Sequence, residues 1–461
     1  MQIPLTPGGW LRVIKRSIRA DMGFSSKKFA DYFVITYLIV ISISGAINIV
    51  AHNTTRLILL YKDVYSLVLP AFLLLYLAAN KNRTGPGFRS YLLLFIGMVM
   101  LSLSYVLISI LNSDFKIGNV VTQFRFELFT YSSLLVAALL VCLEPEHRMK
   151  LLMRLIKVYI VVTVINAIFA ILESVFSGLL YALTGVTPGL QFTQVGKDNG
   201  IILRTASGFF RAIGLFSSPF TLSEFLFFGL VLSPFVSKKN RLRYILIVSA
   251  GIVCSTSKTA MIMASIYFGY LFIRRFLSLK ASLASVVLVC VALSSFFYAT
   301  MTDMGIYKSI YSNDNNYAEQ SILERILLIE EVRNSDTYSI FTGAGYGVNG
   351  NAAVGDDAAL PLDSIYIFLL SNYGGVGIFI FLIAASIILL KLYNKVRYGQ
   401  FYTGVFLYWM ISLSINFVYN NPITNYPGYV FSIIISALLL SFRQNEFSTV
   451  ADAQRLQAQT R

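Results

Sequence analysis

The chain has 461 residues, 56% hydrophobic and only 13% charged, with 37 Lys and Arg against 22 Asp and Glu. Its mean hydropathy is +0.70. A soluble domain carries about 25% charged residues, so this composition excludes an ordinary soluble protein and predicts a polytopic, all-α membrane protein.

In chain order, residues 1–31 are basic, are punctuated by Pro4, Pro7, Gly8 and Gly9, and lack the apolar core of a signal peptide. Apolar segments then fall at 32–50, 63–79, 90–111, 121–143, 156–176, 216–236, 244–254, 259–273, 281–301, 364–390, 401–418 and 428–442. Runs of about 20 apolar residues suffice to cross about 30 Å of hydrocarbon. Most Lys and Arg lie in 1–31, in "NKNRTGPGFR", "EPEHRMKLLMRLIK", "SKKNRLR", "RRFLSLK" and "KLYNKVR", and in the tail 443–461. By the positive-inside rule these stretches are cytoplasmic. The net charge of +15 is therefore a topology signal, and nucleic acid is not an expected partner. Cys142, Cys254 and Cys290 lie in or beside apolar stretches, which implies packing rather than disulfides.

One apolar stretch contains a lysine, in "IVCSTSKTAM". Its flanks, "SKKNRLR" and "RRFLSLK", both belong in the cytoplasm, which a single spanning helix would forbid. A hairpin over 244–273, turning at "STSK", returns the chain to the same side. Irregular backbone at membrane depth must then be buried in protein or line a cavity. With that hairpin the chain has about twelve membrane segments, nine over 32–301 and three over 364–442, with both termini inside. Two outward loops are long, 177–215 and 302–363. In the second, Ile322, Ile326, Ile329 and Val332 recur at helical spacing. Gln320, Glu324 and Glu331 face away, while Arg325 and Arg333 fall within the apolar arc.

The residues that could carry chemistry are charges toward the outward side: Arg211 in "GFFRAIGLFSSPFTLSEFL", Lys258 in "STSK", Arg325 and Arg333 on the loop helix, and Asp363 in "LPLDSIYIFLLSNYGG". Ionisable residues at membrane depth are functional candidates because they are costly. Fixed cations without metal-ligand motifs suit a phosphate or diphosphate. Each residue has a plainer role available. Arg211 and Lys258 could snorkel to headgroups, Arg325 and Arg333 could follow lipid phosphates along an interfacial helix, and Asp363 could cap the helix that "DSIYIFLL" opens. Glu173 and Glu224 could pair with one of the cations, and Arg125 with Glu127. "GAGYGVNG" (343–350) echoes a nucleotide loop but lacks a strand–helix unit; it reads as a flexible turn or a close approach to a ligand. With only His52 and His147, no histidine metal site or catalytic triad is expected. Without a P-loop, neither ATP-driven work nor a cofactor is expected.

Over roughly residues 200–390, this order of motifs resembles the Wzy-type O-antigen polymerase and O-antigen ligase superfamily. The residues that carry the resemblance are "FRAIGLFSSPFTLSEFL", "STSKTAM", the arginine-bearing "LERILLIEEV", "FTGAGYG" and "LDSIYIFLLSNYGGVGIF". It implies a GT-C-like fold in the bacterial inner membrane, with 302–363 as a large periplasmic loop. The donor would be an undecaprenyl-diphosphate-linked glycan and the acceptor a lipid-linked repeat unit. They would be joined on the periplasmic face without a metal, with inversion at the anomeric carbon. A chain-length regulator and a flippase of the same pathway would be partners, with membrane lipid around them. Arg211 and Arg325 would hold the diphosphate, with Lys258 and Arg333 supporting. Asp363 would orient or deprotonate the acceptor hydroxyl. Tyr307, Tyr311, Tyr317, Tyr338 and Tyr346 would be available to stack on sugars. Ligases of this superfamily place a histidine–asparagine pair where this chain has Asp363-Ser364, which favours a polymerase. Many relatives carry arginine where this chain has Lys258. The alternatives are a ligase on the same scaffold, a lipid-linked oligosaccharide flippase or other transporter, and a non-catalytic assembly partner.

Overall fold

A computed structural model describes residues 31–47, 64, 65, 68, 86–112, 116–176, 210–216, 218–302, 323, 326, 327, 329–331, 339–350, 353, 364–421 and 427–442. Among them the regular structure is helical, and an isolated β-bridge pairs Ser339 with Gly343. In chain order the helices are α1 (Asp31–Ser42), α2 (Pro86–Leu111), α3 (Ile117–Val141), α4 (Pro145–Val175), α5 (Pro219–Val231), α6 (Lys238–Cys254), α7 (Lys258–Ile273), α8 (Leu279–Thr302), α9 (Ile365–Lys395), α10 (Gln400–Ile411) and α11 (Pro427–Ser441). A π-helical turn, Ser412–Asn416, continues α10 toward Tyr419. Six of these helices are long and apolar enough to cross a membrane: α2, α3, α4, α8, α9, and α10 with its extension. The chain is thus an all-α membrane protein. The segment read at 63–79 lies almost wholly outside the described residues.

Two basic runs read as loops are helical. Pro145 opens α4 at its first helical position, where its missing N–H costs nothing, so "EHRMK" is the first part of that helix. Lys238–Arg243 likewise form the start of α6, because Lys and Arg are good helix formers. The helix before "STSK" therefore has 17 residues and a length of about 25 Å, longer than its apolar part alone suggests.

The interior is built around α5, which starts with Ser218 accepting from the Phe220 N–H at 3.2 Å and with Pro219 at its first position. Every residue from Thr221 to Val231 is buried. It packs on α4, α6, α7 and α11. Lipid tails are as apolar as leucine, so close packing and internal hydrogen bonds hold such a bundle together. At Gly251 a Cβ would stand 2.9 Å from the Ala167 Cα, which shows how nearly the α4 and α6 backbones touch. Tyr244 donates to the Gly229 carbonyl at 2.7 Å, and Tyr159 to that of Phe225 at 3.1 Å. Glu224, fully buried, accepts from the Tyr408 hydroxyl and lies against Gly428 at the start of α11. A Cβ there would stand 2.9 Å from the Glu224 Cδ. Gly428→Ala should cost about 1–3 kcal/mol by overpacking, read as a lower melting temperature of the purified protein.

Helix α9 is interrupted. Gly374 has φ 62° and ψ −165°, and two helical hydrogen bonds are opened there. In an unbroken helix the carbonyls of Ser371 and Asn372 would take the N–H groups of Gly375 and Val376. Instead a strap, residues 339–346, takes all four. Ala344 and Gly345 donate to the carbonyls of Ser371 and Asn372 at 2.8 and 3.1 Å. Gly375 and Val376 donate to those of Ile340 and Phe341 at 2.8 and 3.3 Å. No backbone group is orphaned by the break, which is the condition for breaking a helix at membrane depth.

Candidate functional site

The segment 210–216 is irregular yet largely buried, and α4 holds it. Glu173 and Asn166 lie two turns apart on one face of that helix. Glu173 Oε2 accepts from the N–H groups of Ile213 and Gly214 at 2.8 and 2.9 Å. Asn166 Oδ1 accepts from Leu215 at 3.0 Å, and the Leu215 carbonyl accepts from Gly45 at 2.8 Å. The Glu173 carboxylate that the sequence offered to a cation is thus occupied by the backbone beside Arg211. Arg211 itself is half-buried, with its guanidinium 5.5 Å from the Phe220 ring centroid.

The same segment reaches the break between α6 and α7. Ala212 donates to the carbonyl of Cys254, the last residue of α6, at 3.0 Å. The chain then turns through Ser255–Ser257, where Thr256 has φ 51°, a left-handed conformation uncommon outside glycine. Ser257 caps α7, accepting from Ala260 at 3.4 Å. Lys258 opens the helix and is exposed. One backbone bond therefore joins the Arg211 segment to the break that Lys258 follows. Lys258 stands at the first position of a 16-residue helix, whose N-terminal end carries the positive pole of the helix dipole.

Arg325, Arg333 and Asp363 lie outside the described residues, as do Tyr307, Tyr311, Tyr317 and Tyr338. Part of the loop helix is described: Ile326 is buried, while Leu327, Glu330 and Glu331 are exposed. At the start of α9 the cap is Ser364 rather than Asp363. Its hydroxyl accepts from Ile367 at 3.5 Å and donates to the Phe417 carbonyl at 3.3 Å. Ile365 N–H donates to Asn420 at 3.3 Å, so the start of α9 is fixed on the end of α10.

The glycine-rich stretch packs against helices. Residues 343–347 are buried, as are Asn349 and Gly350. Gly343 and Gly345 have φ 69° and 115°, and a Cβ on either would stand 2.6 Å from atoms of Asn372 or Ser109 respectively. The close approach is to helices α9 and α2. Tyr346 is buried and donates to Glu127 Oε2 at 2.9 Å, so it is not free to stack on a sugar. Glu127, read as a local partner of Arg125, also accepts from Gln123, Tyr131 and Tyr373. Sequence reasoning missed this cluster, because two of the partners of Glu127 lie 219 and 246 residues from it. Among the described residues, no three His, Cys, Asp or Glu side chains converge on a metal-sized site.

No protein-family model and no curated protein matches this chain.

Proposed function

We propose that this protein is a polysaccharide polymerase of the bacterial inner membrane, with a GT-C-like arrangement of about twelve spans. It joins undecaprenyl-diphosphate-linked repeat units on the periplasmic face, alongside a flippase and a chain-length regulator. The observation that carries the reading is the backbone bond from Ala212 to Cys254. It sets the Arg211 segment against the strained break that Lys258 follows. A lipid diphosphate is already a good leaving group, so the reaction needs positioning and fixed positive charge where the leaving charge grows. Arg211 and Lys258 supply that charge from the membrane domain, and Arg325 and Arg333 from the loop. Asp363, next to the anchored cap Ser364, orients the acceptor hydroxyl.

The test is complementation of a polymerase-null strain, with glycan length read on a gel. Arg211→Ala should lower the rate by about 10²–10³ and leave single-repeat products, with parental amounts of protein in the membrane. Full-length chains from Arg211→Ala would overturn the assignment of Arg211. Lys258→Arg should outperform Lys258→Met, and Arg325→Ala and Asp363→Ala should act as Arg211→Ala does. Transfer of glycan to lipid A core without chain extension would assign a ligase instead. Transport without bond formation in proteoliposomes would assign a flippase.

A further inference from the structure

Glu127 sits on α3, 3% exposed, and its carboxyl gathers four side-chain donors. Gln123 Nε2 donates to Oε1 at 2.5 Å and the Tyr373 hydroxyl at 3.3 Å. The hydroxyls of Tyr131 and Tyr346 donate to Oε2. Gln123 and Tyr131 belong to α3 itself, Tyr346 to the strap, and Tyr373 to α9 immediately before the break. One carboxyl thus ties together three parts of the chain. Bonds to the backbone run the same way: Tyr346 N–H donates to the Tyr105 carbonyl at 3.0 Å, the Tyr105 hydroxyl donates to the Tyr373 carbonyl at 2.8 Å, and Asn112 Nδ2 donates to the Ala344 carbonyl at 3.0 Å. Beyond the strap, Asn349 and Asn372 exchange bonds at 3.1 and 3.3 Å, and Asn349 donates to Ser371 Oγ at 2.6 Å.

The strap lies within the loop that the sequence places at 302–363. Arg325 and Arg333 precede it and Asp363 follows it. The stretch of α9 from Ser364 to Gly374 is thereby held at both ends, by Phe417 and Asn420 at its start and by the strap at its break.

We propose that Glu127 is a positioning residue. Through Tyr346 and Tyr373 it fixes the strap to α9, and so holds in place the stretch of α9 between its capped start at Ser364 and its break at Gly374. The consequence for catalysis rests on the polymerase reading; the latch does not.

Tyr346→Phe removes the strap's hydroxyl, and with it the bond to Glu127 and the contact with Tyr131. In the full-length protein in lipid nanodiscs, amide hydrogen exchange at 343–346 should become about tenfold faster or more, while α5 amides stay unchanged. In the complemented strain, glycan chains should shorten, and in vitro kcat should fall with KM for the lipid-linked repeat nearly constant. Glu127→Gln, which keeps one carbonyl acceptor, should lie between Tyr346→Phe and the parent in both readouts. Unchanged exchange at 343–346 in Tyr346→Phe would overturn the latch. Faster exchange with parental chain length and kcat would overturn the positioning role. A parent that makes no polymer, yet shows the exchange difference, would remove the polymerase reading and leave the latch standing.

Discussion

Gly374→Ala should leave little folded protein in the membrane, whereas Gly375→Ala should be tolerated. At φ 62° and ψ −165° Gly374 occupies a region essentially closed to other residues, at a cost of about 1–3 kcal/mol for any side chain. A Cβ there would also overlap the Phe341 carbonyl and stand 2.6 Å from the Gly343 nitrogen. These are backbone atoms, so no rotamer change relieves the contact, and the strap must leave. Its departure uncovers two carbonyls and two N–H groups on α9, each worth about 1–3 kcal/mol when buried and unpaired. That sum is comparable with the whole stability of a typical domain, about 5–15 kcal/mol. At Gly375 the nearest foreign atom to a new Cβ is the Ile340 oxygen, at 3.6 Å, an ordinary contact. The amounts of each variant in membranes, and its elution as a monodisperse peak in detergent, measure the difference. Parental yield of Gly374→Ala would refute the account of the break.

Glu173→Ala should loosen the Arg211 segment and Glu173→Gln should largely restore it. The alanine variant leaves the Ile213 and Gly214 N–H groups without their acceptor, costing about 2–6 kcal/mol for the pair. Both bonds fall on one oxygen, Oε2, and a glutamine carbonyl has the two lone pairs to accept them. A salt-bridge role predicts the opposite, since glutamine carries no charge. Melting temperatures of the purified variants separate the two accounts. On the polymerase reading, glycan length in the complemented strain should follow the same order.

The helices were legible because a run of apolar residues long enough to cross hydrocarbon needs no tertiary information. The interruption at Ser255–Ser257 was legible from the basic flanks "SKKNRLR" and "RRFLSLK", although the first of these proved to be helical itself. Helix starts were less so. Asp363 and Ser364 are both good caps, and only the contact of Ser364 with the Phe417 carbonyl decides between them. Glu173 and Glu224 were misassigned for one shared reason: a carboxylate in an apolar segment suggests a cation, whereas in this bundle their partners are backbone amides and a phenol. The stretch "GAGYGVNG" has the composition of a mobile turn. Its glycines instead let backbone meet backbone at Ser109, Val120 and Asn372, residues remote in sequence.

The spacing of Gln123 and Tyr131 around Glu127 also bears on how the chain is assembled. Tyr346 is made 219 residues after Glu127; at about 5–20 residues per second, the delay is roughly 10–45 s. For that interval the acid resides in a newly inserted helix without its distant phenols. Gln123 and Tyr131, one turn before and one turn after on the same face, are synthesised with it and shield it from the start. They act as a provisional shell, and the later arrivals convert it into a permanent one.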